Sequence, residues 1–265
     1  MCIILSCAPN ARPTDDLLRT CWTNNPDGGG YMFAENGTVR ISKGYMDFET
    51  YLRAVRSVPA NVPLVLHMRI GTSGGNGPEV THPFPVTADL EHLHALDLFC
   101  PVGIAHNGVL PYPSDDKRGI SDTVAFIQQT VTPLACRRDV RAGGGLARSS
   151  KARAALKVES KGSRLAVMDG GGRVRLTGDG WNGVTPGIQA SNESWRELSP
   201  LAYWPVWDDD IESAYQALEY ADPALADYML DYGCDSCPNF KDCLETWPLC
   251  FGSEDIPHDY QLSVD

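Results

Sequence analysis

Apolar residues fall along the first 110 positions in short, nearly unbroken runs separated by dense turn chemistry. Cys2-Ile3-Ile4-Leu5-Ser6-Cys7-Ala8, closed by Pro9-Asn10, is such a run and predicts a buried strand. Pro63–Ile70, running into Gly71-Thr72-Ser73-Gly74-Gly75, and Val102–Leu110, with Asn107-Gly108 inside it, predict two more. Tyr31-Met32-Phe33-Ala34 and Val39-Arg40-Ile41 flank Asn36-Gly37, a pair that accepts the positive φ of a two-residue hairpin turn. Arg164–Thr177 reads as a second hairpin around a glycine-rich turn. The period changes to helical over Phe48–Val58 and again over Asp122–Thr132, where Ser121 is placed to cap the first turn. Hairpins with a few helices, and no strand–helix–strand alternation, predict an antiparallel α+β domain rather than a doubly wound sheet.

Composition narrows this further. With 43% hydrophobic and 21% charged residues the chain is ordinary globular material, which excludes wholesale disorder and a collagen-like repeat. No apolar run approaches the ~18 residues of a membrane span, and the first residues lack the basic leader of a signal peptide. A soluble, cytoplasmic protein with no membrane partner is therefore expected. Charge is uneven: the net −12 comes from 22 basic and 34 acidic residues, and from Leu201 onward there are 15 acids against Lys241 alone. That leaves 21 basic and 19 acidic residues in the first 200, so a boundary is expected near Ser199-Pro200. It separates a domain over 1–200 from an acidic, aromatic-rich, Cys-rich extension over 201–265. Residues 137–164 carry nine Lys or Arg against Asp139 and Glu159, read as a solvated helix and loop. They lack the interleaved aromatics of a single-strand binding platform, so nucleic acid is not an expected partner.

The second position holds the first candidate for chemistry. If the initiator methionine is removed, Cys2 carries a thiol and an α-amine on one carbon. The amine titrates near ~7.7–8 and can take the thiol's proton, so one residue supplies nucleophile and base. Downstream stand several polar segments in order: Asn25-Pro26-Asp27-Gly28-Gly29-Gly30-Tyr31, His67-Met68-Arg69-Ile70-Gly71-Thr72-Ser73-Gly74, Thr81-His82-Pro83-Phe84, Ala105-His106-Asn107-Gly108-Val109-Leu110 and Ser121-Asp122-Thr123. Ser163-Arg164-Leu165-Ala166-Val167 and Ser191-Asn192-Glu193-Ser194-Trp195 follow them.

With Met1-Cys2-Ile3-Ile4 at their head, these segments resemble the motifs of the class II glutamine amidotransferases, a branch of the N-terminal nucleophile hydrolases, across roughly the first 195 residues. The resemblance implies a four-layer αββα sandwich of two antiparallel sheets. It implies Cys2 as nucleophile, Asn107 and Gly108 as oxyanion donors, and Arg69, Thr72, His82, Asp122 and Asp27 around the substrate glutamine. The chemistry of each type fits. Arg69 can grip a carboxylate with two parallel hydrogen bonds, Asp122 can meet an ammonium, and fixing both ends holds the δ-amide against the thiol. His67, His82 and His106 lie within the matched segments as supporting wall. His92-Leu93-His94, among Asp89, Glu91 and Asp97, reads as a solvated helix rather than a metal pair.

The extension has chemistry of its own. Cys234, Cys237, Cys243 and Cys250 give C-x2-C-x5-C-x6-C, four soft ligands at a spacing that suits a structural zinc, with an iron–sulfur cluster or four reduced thiols as alternatives. It has no phosphate-binding loop and is too short for a synthetase domain, so released ammonia is expected to pass to a separate enzyme. Two other readings stay open: a hydrolase of another γ-glutamyl amide or peptide without transfer, and a catalytically inactive binding or scaffold relative. Catalysis itself needs no cofactor in any of them.

Overall fold

In β1 (Ile3–Cys7) the side chains alternate between two faces, yet both are buried: Ile3, Leu5 and Cys7 face one core and Ile4 another. This is why the run reads as continuously apolar, and it fixes the architecture. The computed structural model describes residues 2–71 and 75–196. Among these, β1 is joined by α1 (Asp15–Thr23), β2 (Gly29–Glu35), β3 (Thr38–Tyr45), α2 (Phe48–Arg56) and β4 (Leu64–Met68). Next come β5 (Phe84–Pro85), α3 (Leu90–His94), β6 (Asp97–Cys100) and β7 (Val102–Asn107). The chain then runs through α4 (Asp122–Phe126), α5 (Thr132–Cys136), α6 (Arg138–Ala142) and α7 (Ser150–Glu159) to β8 (Arg164–Asp169), β9 (Val174–Thr177), β10 (Asn182–Thr185) and β11 (Ile188–Ala190).

The strands form two antiparallel sheets. One has seven strands in the order β10-β11-β1-β4-β2-β3-β6, the other four in the order β5-β7-β8-β9. Three cores define the layers. The outer face of the seven-stranded sheet packs Leu5, Tyr31 and Leu66 under Leu18 and Trp22 of α1 and Tyr51 and Val55 of α2. Ile4, Met32, Ile41 and Val65 meet Ala105, Ala166 and Met168 between the sheets. The far face of the four-stranded sheet buries Ile104, Leu165 and Val167 against Phe126, Val131, Val140 and Leu156. The result is helix, sheet, sheet, helix, an α+β sandwich. The sheets meet through small residues. A Cβ on Gly103 of β7 would come within 2.6 Å of the Met32 sulphur.

Most expected elements form. Asn36 and Gly37 turn the β2–β3 hairpin with φ of 50° and 81°. Ser121 Oγ accepts from Val124 N at 3.2 Å and caps α4. Two differences have physical causes. α1 forms where the turn-rich flanks predict no element: Thr14 Oγ1 accepts from Leu17 N, and Asp15 and Asp16 occupy the first turn. The helix from Asp122 runs past Thr132 to Cys136, passing through a π-helical stretch, Ile127–Val131, just ahead of Pro133, which has no N–H to continue a regular ladder. The basic stretch contributes α6 and α7, whose Val140, Ala152 and Leu156 are buried while Arg141, Lys151, Arg153 and Lys157 face outward. His92 pairs with Asp89 at 3.2 Å whereas His94 Nε2 meets Gly119 O at 2.9 Å, so the two rings have separate partners. Among the described residues no helix is long and apolar enough to cross a membrane. The expected boundary near 199–200 and the extension over 201–265 lie outside the described residues.

Candidate functional site

The site is built where β1 begins. Antiparallel pairing of β1 with β4 sets Ile3 opposite Met68 and Ile4 opposite His67, so Cys2 emerges beside Arg69 and Ile70. Ile70 N donates to Cys2 Sγ at 3.4 Å, and Sγ lies 3.4 Å from Ile70 O. Burial pushes the thiol's pKa up, while the Ile70 backbone bond and the Arg69 charge pull it down. The start of the strand is clamped from the far end of the domain. Ser191 N donates to Ile4 O at 2.9 Å, Ile4 N donates to Ser191 Oγ at 2.8 Å, and Asn192 Nδ2 donates to Cys2 O at 2.8 Å.

Arg69 is held by the Asp27–Gly28 loop. Its N–H donates to Gly28 O at 2.8 Å, Asp27 N donates to Arg69 O at 2.9 Å, and Asp27 Oδ2 accepts from Gly71 N at 2.7 Å. The Arg69 guanidinium donates through Nη2 to Gly75 O at 2.7 Å. Asp122 opens α4. Oδ2 accepts from Leu110 N at 2.9 Å and Oδ1 from Thr123 N at 2.7 Å, which ties the segment after β7 to the helix start.

Gly108 follows β7 with φ of 141°, and a Cβ there would strike Ser163 Oγ. Only glycine meets both conditions, so the backbone can pass close to the cavity. Asn107 is buried, with Nδ2 donating to Ser191 Oγ at 2.8 Å.

Cys2, Arg69, Ile70, Val80, His82, His106, Gly108, Ser121, Asp122 and Thr123 line one cavity of about 20 Å³, room for about one water molecule. Of the residues picked from the sequence, Cys2, Arg69, His82, Gly108 and Asp122 are therefore neighbours around a single space. Asp27 and Asn107 are not on its wall; they hold the segments that are. Thr72 and the four cysteines at 234, 237, 243 and 250 lie outside the described residues. A guanidinium and a carboxylate on one wall provide opposite charges, the pattern a zwitterionic amino acid would need. Among the described residues no group of three or more His, Cys, Asp or Glu side chains is arranged to hold a metal ion.

Sequence reasoning gave the wall histidines no specific partners. His67 Nε2 donates to His106 O at 3.1 Å, and the His67 and His82 rings stand 4.3 Å apart. His106 Nδ1 lies 2.7 Å from Thr123 Oγ1. Burial lowers all three: His67 to about 3, His106 to about 4 with Asp122 opposing, and His82 well below the usual imidazole range. Their place in polar motifs was a signal, but the contacts span up to 39 positions and follow only from the packing of the two sheets. No protein-family model matches the chain, and no curated protein matches it.

Proposed function

We propose that this chain is an amidohydrolase of the class II glutamine amidotransferase type, in the N-terminal nucleophile hydrolase superfamily. Its task is to release ammonia from the glutamine side-chain amide through a γ-glutamyl thioester on Cys2. One observation carries the reading: Cys2, Arg69, His82, Gly108 and Asp122, spread over 120 positions, line the same cavity. The four-layer arrangement of sheets and helices is compatible with it.

In this reading Met1 is removed and the freed α-amine takes the Cys2 proton. Arg69 binds the substrate α-carboxylate and Asp122 its ammonium. Sulphur attacks the δ-carbonyl, and the oxyanion is met by the Gly108 N–H, which Asn107 keeps in place through its bond to Ser191. Such a donor contributes about 3 kcal/mol of barrier lowering. Ammonia leaves, and water frees glutamate. The ammonia is passed to a separate synthetase, and the cysteines at 234, 237, 243 and 250 hold a structural zinc, which native mass spectrometry reports directly.

The test combines intact mass with a glutaminase assay. The expected result is a chain that has lost Met1, releases ammonia from glutamine, and is labelled at Cys2 by a diazoketone analogue of glutamine. In Cys2→Ala turnover falls by more than about a thousandfold. A chain that retains Met1, or one whose turnover survives Cys2→Ala, ends the proposal. Turnover of a γ-glutamyl peptide but not of free glutamine would move it to the hydrolase without transfer.

A further inference from the structure

Behind Cys2 the hydrogen bonding of the cavity wall is unfinished in a specific way. Asp122 Oδ1 lies 3.3 Å from Thr123 Oγ1, and Thr123 Oγ1 lies 2.7 Å from His106 Nδ1. An ionised carboxylate only accepts, so the Thr123 hydroxyl donates to Asp122 and must accept from His106 Nδ1–H. That assigns the tautomer and leaves His106 Nε2 as a bare lone pair. Nε2 has no partner among the described residues, and neither ring nitrogen of His82 has one. A neutral imidazole carries one N–H, so His82 presents one donor and one acceptor.

Both rings are buried, and both line the cavity with Cys2. A buried donor or acceptor left unmet costs about 1–3 kcal/mol. A water needs two to four polar partners and about the space this cavity offers. His82 N–H as donor and His106 Nε2 as acceptor satisfy that requirement with opposite polarity.

We propose that His106 and His82 position the hydrolytic water against the Cys2 thioester, an inference that rests on the acyl-enzyme reading above. The water donates one hydrogen to His106 Nε2 and accepts from His82, which aims its oxygen at the acyl carbon. In the step itself the water oxygen bonds to that carbon and the second water proton passes to the Cys2 α-amine. The C–S bond breaks with its electron pair on sulphur, and the amine returns the proton to sulphur. Glutamate and the free thiol result, with no other reactant. His106 and His82 are positioning residues, and Thr123 positions His106. Burial keeps both rings neutral at working pH, so the acceptor lone pair persists.

The experiment compares glutamate release with γ-glutamyl hydroxamate formation when hydroxylamine, which attacks the thioester without the bound water, is supplied alongside glutamine. Wild type, His106→Leu, His106→Gln and Thr123→Val are measured together, with intact mass of the protein during turnover. In His106→Leu, glutamate release is expected to fall by about tenfold or more, while hydroxamate formation is retained and the γ-glutamyl adduct accumulates on Cys2. His106→Gln, whose amide oxygen reaches toward the former Nε2, restores part of the hydrolysis. Thr123→Val, nearly isosteric, shows a smaller loss of the same kind and serves if the leucine variant does not fold. Parallel loss of both products, or unchanged hydrolysis, overturns the water-positioning role while leaving the thioester intact. A wild-type chain that forms neither product and is not labelled at Cys2 overturns the acyl-enzyme reading, and this proposal with it.

Discussion

Two clusters of buried ionisable groups lie in different layers of the sandwich. Under α1 and α2, Cys7, Cys21 and Tyr51 are withdrawn from water among aromatic and aliphatic side chains. Beside the Cys2 cavity, His67, His82 and His106 are withdrawn equally far. Burial favours the neutral form in both places, with opposite effects on the pKa. Cys7 and Cys21 rise to about 12 and Tyr51 rises well above its usual value, whereas His67 and His106 fall to about 3 and about 4. Depth of burial therefore does not mark the site. What separates the clusters is that all three imidazoles retain an unmet ring nitrogen, and that His82 and His106 share a cavity with Cys2, while Cys21 and Tyr51 sit within close apolar packing such as the Trp22–Tyr51 ring pair at 5.2 Å. β1 joins the two environments, with Cys2 just ahead of its first residue and Cys7 at its last.

The comparison breaks first under titration. Depressed imidazole pKa values mean that the stability contributed by His67 and His106 is complete above the unfolded value near ~6.5 and is lost as pH falls toward about 3 and about 4. Each group costs about 1.4 kcal/mol per pH unit over its interval. Raised thiol pKa values act at the other end. The contribution of Cys7 and Cys21 is complete below the unfolded thiol value and is lost as pH rises toward about 12, at the same rate per group. Urea midpoints from pH 3 to 11 should trace a dome with two sloping shoulders, the alkaline one shallower in Cys7→Ala. A flat profile would mean that the two clusters do not differ as described.

The next largest contrast is in thiol reactivity. Iodoacetamide should modify Cys2, half-buried at the cavity, at least about a hundredfold faster than Cys7, which reacts only when the core opens. Peptide mapping over time measures the ratio, and comparable rates would remove the distinction between the two ends of β1. The smallest effect concerns the clamp. Ser191→Ala leaves Ile4 N and Asn107 Nδ2 without their shared acceptor, and stability should drop by about 1–3 kcal/mol in thermal melts. A loss under about 0.3 kcal/mol would show that the strand start is held by its sheet bonds alone.

Local pattern carried far in this chain where the cause is local. Asn36-Gly37 turns because those residues tolerate positive φ, and Ser121 caps because its hydroxyl reaches Val124 N. α1 was equally local, with Thr14 and two following acids, but its Leu18, Cys21 and Trp22 lie in a stretch dominated by turn residues on both sides. The short strands β5, β6, β10 and β11 carry little periodicity in two to four residues, and pairing rather than pattern makes them strands. At the site, Arg69, Gly108 and Asp122 were legible as residue types suited to a carboxylate, an oxyanion and an ammonium. The second tier was not. Asp27 acts on Gly71 N, Asn107 and Ile4 share Ser191, and His106 is oriented by Thr123, all through partners that no spacing rule reveals.

By itself the sequence determined the alternation of turns and apolar runs, and with it an antiparallel α+β domain, since φ preferences and side-chain periodicity are properties of neighbouring residues. It also determined which chemical groups were on offer. Only the tertiary structure decided that Ile3 faces Met68, which carries Cys2 to Arg69 and Ile70, and that Ser191 reaches back across 187 positions to Ile4. Strand register and the stacking of two sheets are settled by burying both faces at once. That sum runs over the whole domain, and no short segment contains it.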